Sequence, residues 1–311
     1  MFKFGQYAML TAMFLLTGCA VAPNAGDVRL ELEQMPPSLH EVSSMETGSD
    51  NPKFLSCNYG YYEDAYGAHH NKVAIAGYQY ALMASNSYHN NVAFNIPGWT
   101  HKSHFRGKQG AHAESGFQAD VYEHSSQNSV DKVAIIFRGT DSAKDWDANL
   151  AIATKSSGRK PAQYHLAMKL YNGVVEQYQG SDSVKAMPQI ILVGHSLGGS
   201  LAFHVSWYQD NAMLFAFNPS ERKWVEGEPT FNNQRYVLRE KGEVLGLTRG
   251  IRWFNPKDNN LQLAEEYNFT TGSSTRQHSV YYLARGLLLL AAARGDTMAK
   301  TIMGRNLGCE V

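Results

Sequence analysis

The sequence predicts an α/β fold, a mostly parallel sheet flanked by helices, from three observations. The runs Val133-Ala134-Ile135-Ile136-Phe137, Gln189-Ile190-Ile191-Leu192-Val193 and Met213-Leu214-Phe215-Ala216-Phe217 have the length and apolar content of strands buried on both faces. Between the last two lies Ser196 to Tyr208, a helix-length segment, and strand, helix, strand at this spacing implies parallel strands joined by a crossover. The 311 residues are 43% hydrophobic, enough for a real core. A mean hydropathy of −0.37, without repeated long apolar runs, excludes a polytopic membrane protein. Twenty-eight Lys and Arg balance 28 Asp and Glu, so the basic excess of a nucleic-acid binder is missing.

From the N-terminus, Lys3 precedes an apolar run from Ala8 to Leu16 and then small residues, the layout of a secretory signal over residues 1–18. Its end, Leu16-Thr17-Gly18-Cys19, resembles the lipobox of bacterial lipoproteins. That resemblance implies cleavage before Cys19 and attachment of lipid to its sulfur, hence a protein anchored to a membrane of the bacterial envelope. An ordinary signal peptide with an accidental Cys19 is the alternative. Residues 19–55 are rich in Pro, Ser, Gly and acids with no sustained period, and read as a flexible tether. Residues 56–311 read as one domain. Cys57 opens it and Cys309 nearly closes it; a disulfide between them, which loop-closure entropy would favour by roughly 5 kcal/mol, stands beside two free buried thiols.

Within the domain, Val73, Ile75, Ala76, Tyr80, Met83 and Ala84 fall mostly at helical spacing, predicting a helix over 72–88. Ser115 to Tyr122 alternates like a strand with one exposed face. Tyr236 to Glu240 and Ile251 to Phe254 read as later strands, and Tyr267-Asn268-Phe269-Thr270 as the last. The run Val280 to Ala293 is apolar but too short to span a bilayer and is broken by Arg285; it reads as a core helix, with a membrane-contacting face as the alternative.

The chemistry concentrates where a buried strand ends, in Gly194-His195-Ser196-Leu197-Gly198-Gly199, a G-x-S-x-G between strand and helix. That context is what a nucleophile elbow requires: Gly194 and Gly198 let helix and strand approach, Ser196 projects its hydroxyl above the sheet, and the Leu197 amide points into the same space at the positive end of a helix. A plain turn is the alternative. The base must follow the nucleophile in the chain, and of 12 histidines only His204 and His278 do so. His204 lies about 12 Å along the same helix and cannot reach the hydroxyl, so His278 remains. Two carboxylates stand at strand ends to orient it, Glu243 and Asp258. The order of preference is Glu243, then Asp258, whose Asn255-Pro256-Lys257-Asp258-Asn259-Asn260 setting also makes a good bare turn.

Phe137-Arg138-Gly139-Thr140, then Asp145-Trp146 and Asn149-Leu150, then the elbow and Phe217-Asn218-Pro219, resemble the class-three lipases of the fungal and plant type, which are α/β-hydrolases acting on acyl esters of lipids. The resemblance runs from about Tyr78 to His278. It implies that the Thr140 amide is the second oxyanion donor beside Leu197, that Asp145 to Ala151 holds the place of the lid, and that neither metal nor organic cofactor takes part. In that family the acid is usually Asp followed by two apolar residues. Glu243-Val244-Leu245 keeps the pattern and changes the residue; Asp258 keeps the residue and loses the pattern. Lys144, Asp145 and Asp147 around Trp146 make a polar lid segment, which favours phospholipid, monoacyl or short-chain esters over bulk triglyceride. A thioesterase using the same triad, and a non-catalytic envelope lipoprotein that keeps the fold for binding, are the rival functions.

Overall fold

The computed structural model describes residues 28–33, 66–88, 94–109, 113–127, 129–139, 162–179, 186–220, 224–227, 233–247, 262–270 and 272–307. Their centre is a mixed sheet of eight strands that lie side by side in chain order. Strands β1 (Val28–Glu33), β2 (Trp99–Gln109), β3 (Ala113–Ser126) and β4 (Ser129–Phe137) form an antiparallel meander. From β4 onward the sheet is parallel, through β5 (Gln189–His195), β6 (Ala212–Phe217), β7 (Arg235–Glu240) and β8 (Gln262–Tyr267). The helices are α1 (Ala68–Asn86), α2 (Ala162–Gln179), α3 (Leu197–Tyr208), α4 (Ser274–His278), α5 (Val280–Ala293) and α6 (Thr297–Leu307).

The continuously apolar strands are apolar because both faces are covered. Val133, Ile135 and Phe137 of β4, with Ile190 and Leu192 of β5, pack under α2 and α3. Ala134 and Ile136, with Ile191 and Val193, face the opposite layer of α1, α5 and α6. This two-sided burial is the expected α/β arrangement. It also settles α5: Leu283 to Ala292 are buried, Arg285 included, and Arg285 Nη1 donates to the Tyr281 hydroxyl at 3.3 Å, so the run is a core helix. Among the described residues no helix is long and apolar enough to cross a membrane. A polar cluster crosses β2 and β3, where buried Asp120 Oδ1 accepts from His101 Nε2 at 2.7 Å and His104 Nδ1 at 2.8 Å. Burial opposes ionisation of Asp120, but these two imidazoles outweigh it and hold the carboxyl below its usual range.

Three expectations need correction. Val28–Glu33 lies inside the stretch read as tether, yet it pairs along its whole length with β2 from His104 to Gln109. The last strand is Gln262–Tyr267 and not 267–270: it is the sheet's edge, where Ala264 and Glu266 face solvent, so its apolar signal is weak and Phe269 and Thr270 are carried past its end. The helix predicted to start at Ser196 starts at Leu197, with Ser196 as its cap. Strand β2 and helices α2 and α6 have no counterpart among the predicted elements. Ile251 to Phe254 lies outside the described residues.

Candidate active site

Between the end of β5 at His195 and the start of α3 at Leu197, one residue turns the chain. Ser196 does so at φ 57° and ψ −125°, a region costly for any residue with a side chain. The surroundings hold it there. The Ser196 N–H donates to the Phe217 carbonyl at 3.1 Å, and its carbonyl accepts from Ser220 N–H at 3.0 Å and Ser200 N–H at 3.3 Å. A Cβ on Gly194 would stand 2.1 Å from the Gly198 carbonyl oxygen, and one on Gly198 would stand 1.9 Å from that of Phe137. Both contacts are far inside van der Waals distance, so glycine is what lets α3 start against β4 and β5. The first amides of a helix lack intrahelical partners, and that of Leu197 heads α3 at the positive end of its dipole.

His278 ends the short helix α4, which Ser273 caps by accepting from Arg276 N–H at 3.3 Å. It is thus the last residue of a helical turn, where a polar loop was expected. Its Nδ1 donates to Glu243 Oε2 at 2.6 Å, with both side chains buried. The same oxygen accepts Leu245 N–H at 3.0 Å. Leu245 is fully buried in the 3₁₀ turn Val244–Leu247, so the second apolar residue after Glu243 anchors the turn that aims this carboxylate. The His278 ring lies 4.6 Å, centroid to centroid, from that of His195, the residue before Ser196. Ser196, His195 and His278 are all buried at the carboxyl ends of the parallel strands, where open α/β sheets place their sites.

His204 lies elsewhere: its ring packs edge-on against Tyr164 and Tyr208, on the α2–α3 side of the sheet. On the β4 side, Arg138 takes the Gln118 carbonyl at 3.0 Å through its N–H and Gln118 Oε1 at 2.7 Å through Nη1, fixing the strand end before Gly139. Thr140, Asp145 to Ala151, Asp258, Cys19, Cys57 and Cys309 lie outside the described residues. Among the described residues no group of three or more His, Cys, Asp or Glu is arranged to hold a metal ion. Two contributors to the site went unread in the sequence. Tyr88, just beyond α1, meets His195 Nδ1 through its hydroxyl at 2.6 Å. Asn218, seen only as part of Phe-Asn-Pro, reaches the His278 carbonyl with Nδ2 at 3.2 Å and accepts Glu240 N–H with Oδ1 at 2.8 Å. Its position directly after a buried strand was the available signal.

Residues 79–220 match the model of a phospholipase-like family, the Tle-like phospholipase domain. The matched stretch covers the Arg138-Gly139-Thr140 block and the elbow with Ser196, and ends before Glu243 and His278. It supports a lipid-hydrolysing enzyme of the lipase or phospholipase type, a broader affiliation than the class-three lipases. No curated protein matches the chain.

Proposed function

We propose that this lipase- or phospholipase-type chain is a serine hydrolase that cleaves carboxylic acyl esters of lipids through an acyl-Ser196 intermediate. The observation that carries the reading is the buried Glu243–His278 pair, ring nitrogen to carboxylate at 2.6 Å, beside an elbow whose serine is held at positive φ. Because Nδ1 donates to Glu243, the other nitrogen, Nε2, is the one left to act as base. It takes the Ser196 hydroxyl proton as Oγ adds to the ester carbonyl, and Glu243 stabilises the imidazolium that results. The tetrahedral oxyanion is received by the Leu197 amide and that of Thr140, each such donor contributing roughly 3 kcal/mol. His278 then protonates the departing alkoxide, and water repeats the sequence on the acyl-enzyme to release the fatty acid. No metal or organic cofactor enters these steps.

The phospholipase-like match and the polar Lys144-Asp145-Trp146-Asp147 segment both favour phospholipid, or monoacyl or short-chain esters, over triglyceride. At the N-terminus, residues 1–18 act as signal, and Cys19 carries lipid that pins the domain to a membrane of the bacterial envelope. Since β1 begins at Val28, the chain from Cys19 to the sheet reaches at most about 30 Å, which keeps the domain close to that membrane. A fluorophosphonate probe should label the wild type at Ser196, and a panel of phospholipid, monoacyl ester, triglyceride and thioester substrates should show phospholipid or short esters turned over fastest. Activity that survives Ser196→Ala, or that disappears with EDTA and returns with a divalent ion, would overturn the mechanism. Mass spectrometry finding an unmodified Cys19 would overturn the anchor.

A further inference from the structure

The side chain of His278 is held by Glu243, but its backbone is held as well, and from residues outside any serine–histidine–acid set. The His278 carbonyl accepts from His195 Nε2 at 2.7 Å and from Asn218 Nδ2 at 3.2 Å. A carbonyl can only accept, so His195 carries its proton on Nε2. In the neutral ring Nδ1 is then the acceptor, and the group it faces is the Tyr88 hydroxyl at 2.6 Å, which must donate. That hydroxyl oxygen in turn accepts Gly139 N–H at 3.2 Å. The bonds therefore run in one direction, from Gly139 N–H to Tyr88, from Tyr88 O–H to His195, and from His195 N–H to His278. All of these groups are buried or partly buried, where a consistently oriented chain is stronger than its members separately.

We propose that Tyr88 and His195 are positioning residues: together they set the height and direction of the His278 backbone above the elbow and tie it to the Gly139 end of β4. The inference rests on the reading of Ser196 and His278 as nucleophile and base. His195 follows five buried strand residues and is followed by the nucleophile, so its ring is fixed with respect to Ser196 by backbone alone. The strand ends of β5 and β6 thus grip the main chain of His278 while the turn after β7 grips its ring. The His278 carbonyl fixes the proton on His195 Nε2, and Tyr88 holds the opposite nitrogen, so the ring is aimed from both sides. Without the Tyr88 hydroxyl the ring loses the bond at Nδ1 that fixes its orientation, the Nε2–H bond to the His278 carbonyl is no longer aimed, and the base moves relative to Ser196. Displacements of this kind act on the reaction more than on substrate binding.

Three variants test this, with selective ¹⁵N labelling of histidine to read the tautomer and fluorophosphonate labelling of Ser196 to read nucleophile chemistry. Tyr88→Phe should lower kcat about tenfold at nearly constant KM, and the His195 Nδ1 shift should move as it loses the Tyr88 hydrogen bond while Nε2 keeps its proton. His195→Gln keeps an N–H at the reach of Nε2 and should stay within about threefold of wild type. His195→Asn, whose amide stops at the reach of Nδ1, should lose at least as much as Tyr88→Phe. Equal losses for the Gln and Asn variants would assign His195 to packing alone and overturn the proposal, as would Nδ1–H as the wild-type tautomer. So would Tyr88→Phe with wild-type kcat. If wild type itself does not label at Ser196, the serine-hydrolase reading fails, whereas the tautomer still reports on the chain of bonds; the two failures are therefore distinct.

Discussion

Glu240 closes β7 with its side chain 2% exposed, and its replacement by Gln gives a prediction whose size follows from its surroundings. Burial, against the partial relief of the Thr270 and Phe269 amides and with added repulsion from Glu266, pushes its carboxyl from 4.5 up to about 8. Thr270 N–H donates to Oε1 at 2.8 Å, which places Glu240 at the base of the segment leading to His278. Between the two values the folded protein keeps the proton and the unfolded chain releases it. Stability therefore falls as pH rises through this window, the opposite of a salt-bridged carboxylate. From pH 5 to pH 8 this single group should cost the wild type about 3–4 kcal/mol, or roughly 10 °C in melting temperature for a domain of this size. The substitution Glu240→Gln keeps an acceptor for Thr270 N–H and removes the titrating proton. Calorimetry of wild type and Glu240→Gln across that range should show the two curves diverging as pH rises, with the variant the more stable at pH 8. Parallel curves would refute the reasoning, because the proton would then be lost from folded and unfolded chains alike.

Other expectations follow from the same contacts. Glu243→Gln should reduce turnover on the order of ten-thousandfold, by analogy with other serine triads, while Asp258→Asn stays near wild type; combined with Ser196→Ala it should add no further loss, and an inactive Asp258→Asn beside an active Glu243→Gln would move the acid. Glu243→Asp keeps the charge but withdraws the carboxylate by about one C–C bond from His278 Nδ1, so a loss of about tenfold or more in kcat is expected from steady-state kinetics. Gly198→Ala drives a methyl into the Phe137 carbonyl and should abolish fluorophosphonate labelling or lower the melting temperature sharply. Asp120→Asn should lower stability at neutral pH, and acid titration should remove the same contribution from wild type as pH falls through the depressed folded value, since a carboxyl held below its usual range stabilises only while ionised.

The parts of the fold visible in the sequence are those where one physical demand acts alone. Strands β4, β5 and β6 are buried on both faces, so Val133 to Phe137 and Ile190 to Val193 show no polar interruption and could be read directly. Edge and antiparallel strands answer to solvent as well. β2, Trp99-Thr100-His101-Lys102-Ser103-His104-Phe105, mixes polar and apolar residues because its polar members bind across the sheet, as His101 and His104 do to Asp120, and no simple period survives. β1 lies far upstream of its partner, among Pro- and Ser-rich residues, and only pairing with β2 distinguishes it. In the site, Ser196 and Gly198 are legible because strand, turn and helix impose residue types at fixed spacing. Tyr88 is not, because a hydroxyl that meets its partner more than a hundred positions away leaves no local pattern.

The proposed choice of Glu243 over Asp258 turns on how far a local rule carries when the residue type departs from it. The resemblance offered two criteria, an Asp and two apolar residues after the acid, and the chain satisfies them at different positions. In physical terms the criteria are unequal. An acid must be aimed, and aiming depends on the turn that carries it: Leu245 is buried, its N–H fixes Oε2, and the 3₁₀ turn places that oxygen 2.6 Å from the ring. The extra methylene of Glu only changes the reach from the strand end. An apolar residue that must bury constrains the backbone more tightly than the length of the carboxylate side chain does, so with Glu243 as the proposed acid the pattern is the stronger guide and the identity of the acid the weaker. The same reasoning explains why His278 does not depend on a strand of its own: gripped at its ring by Glu243 and at its carbonyl by His195 and Asn218, it borrows rigidity from β5, β6 and β7 together.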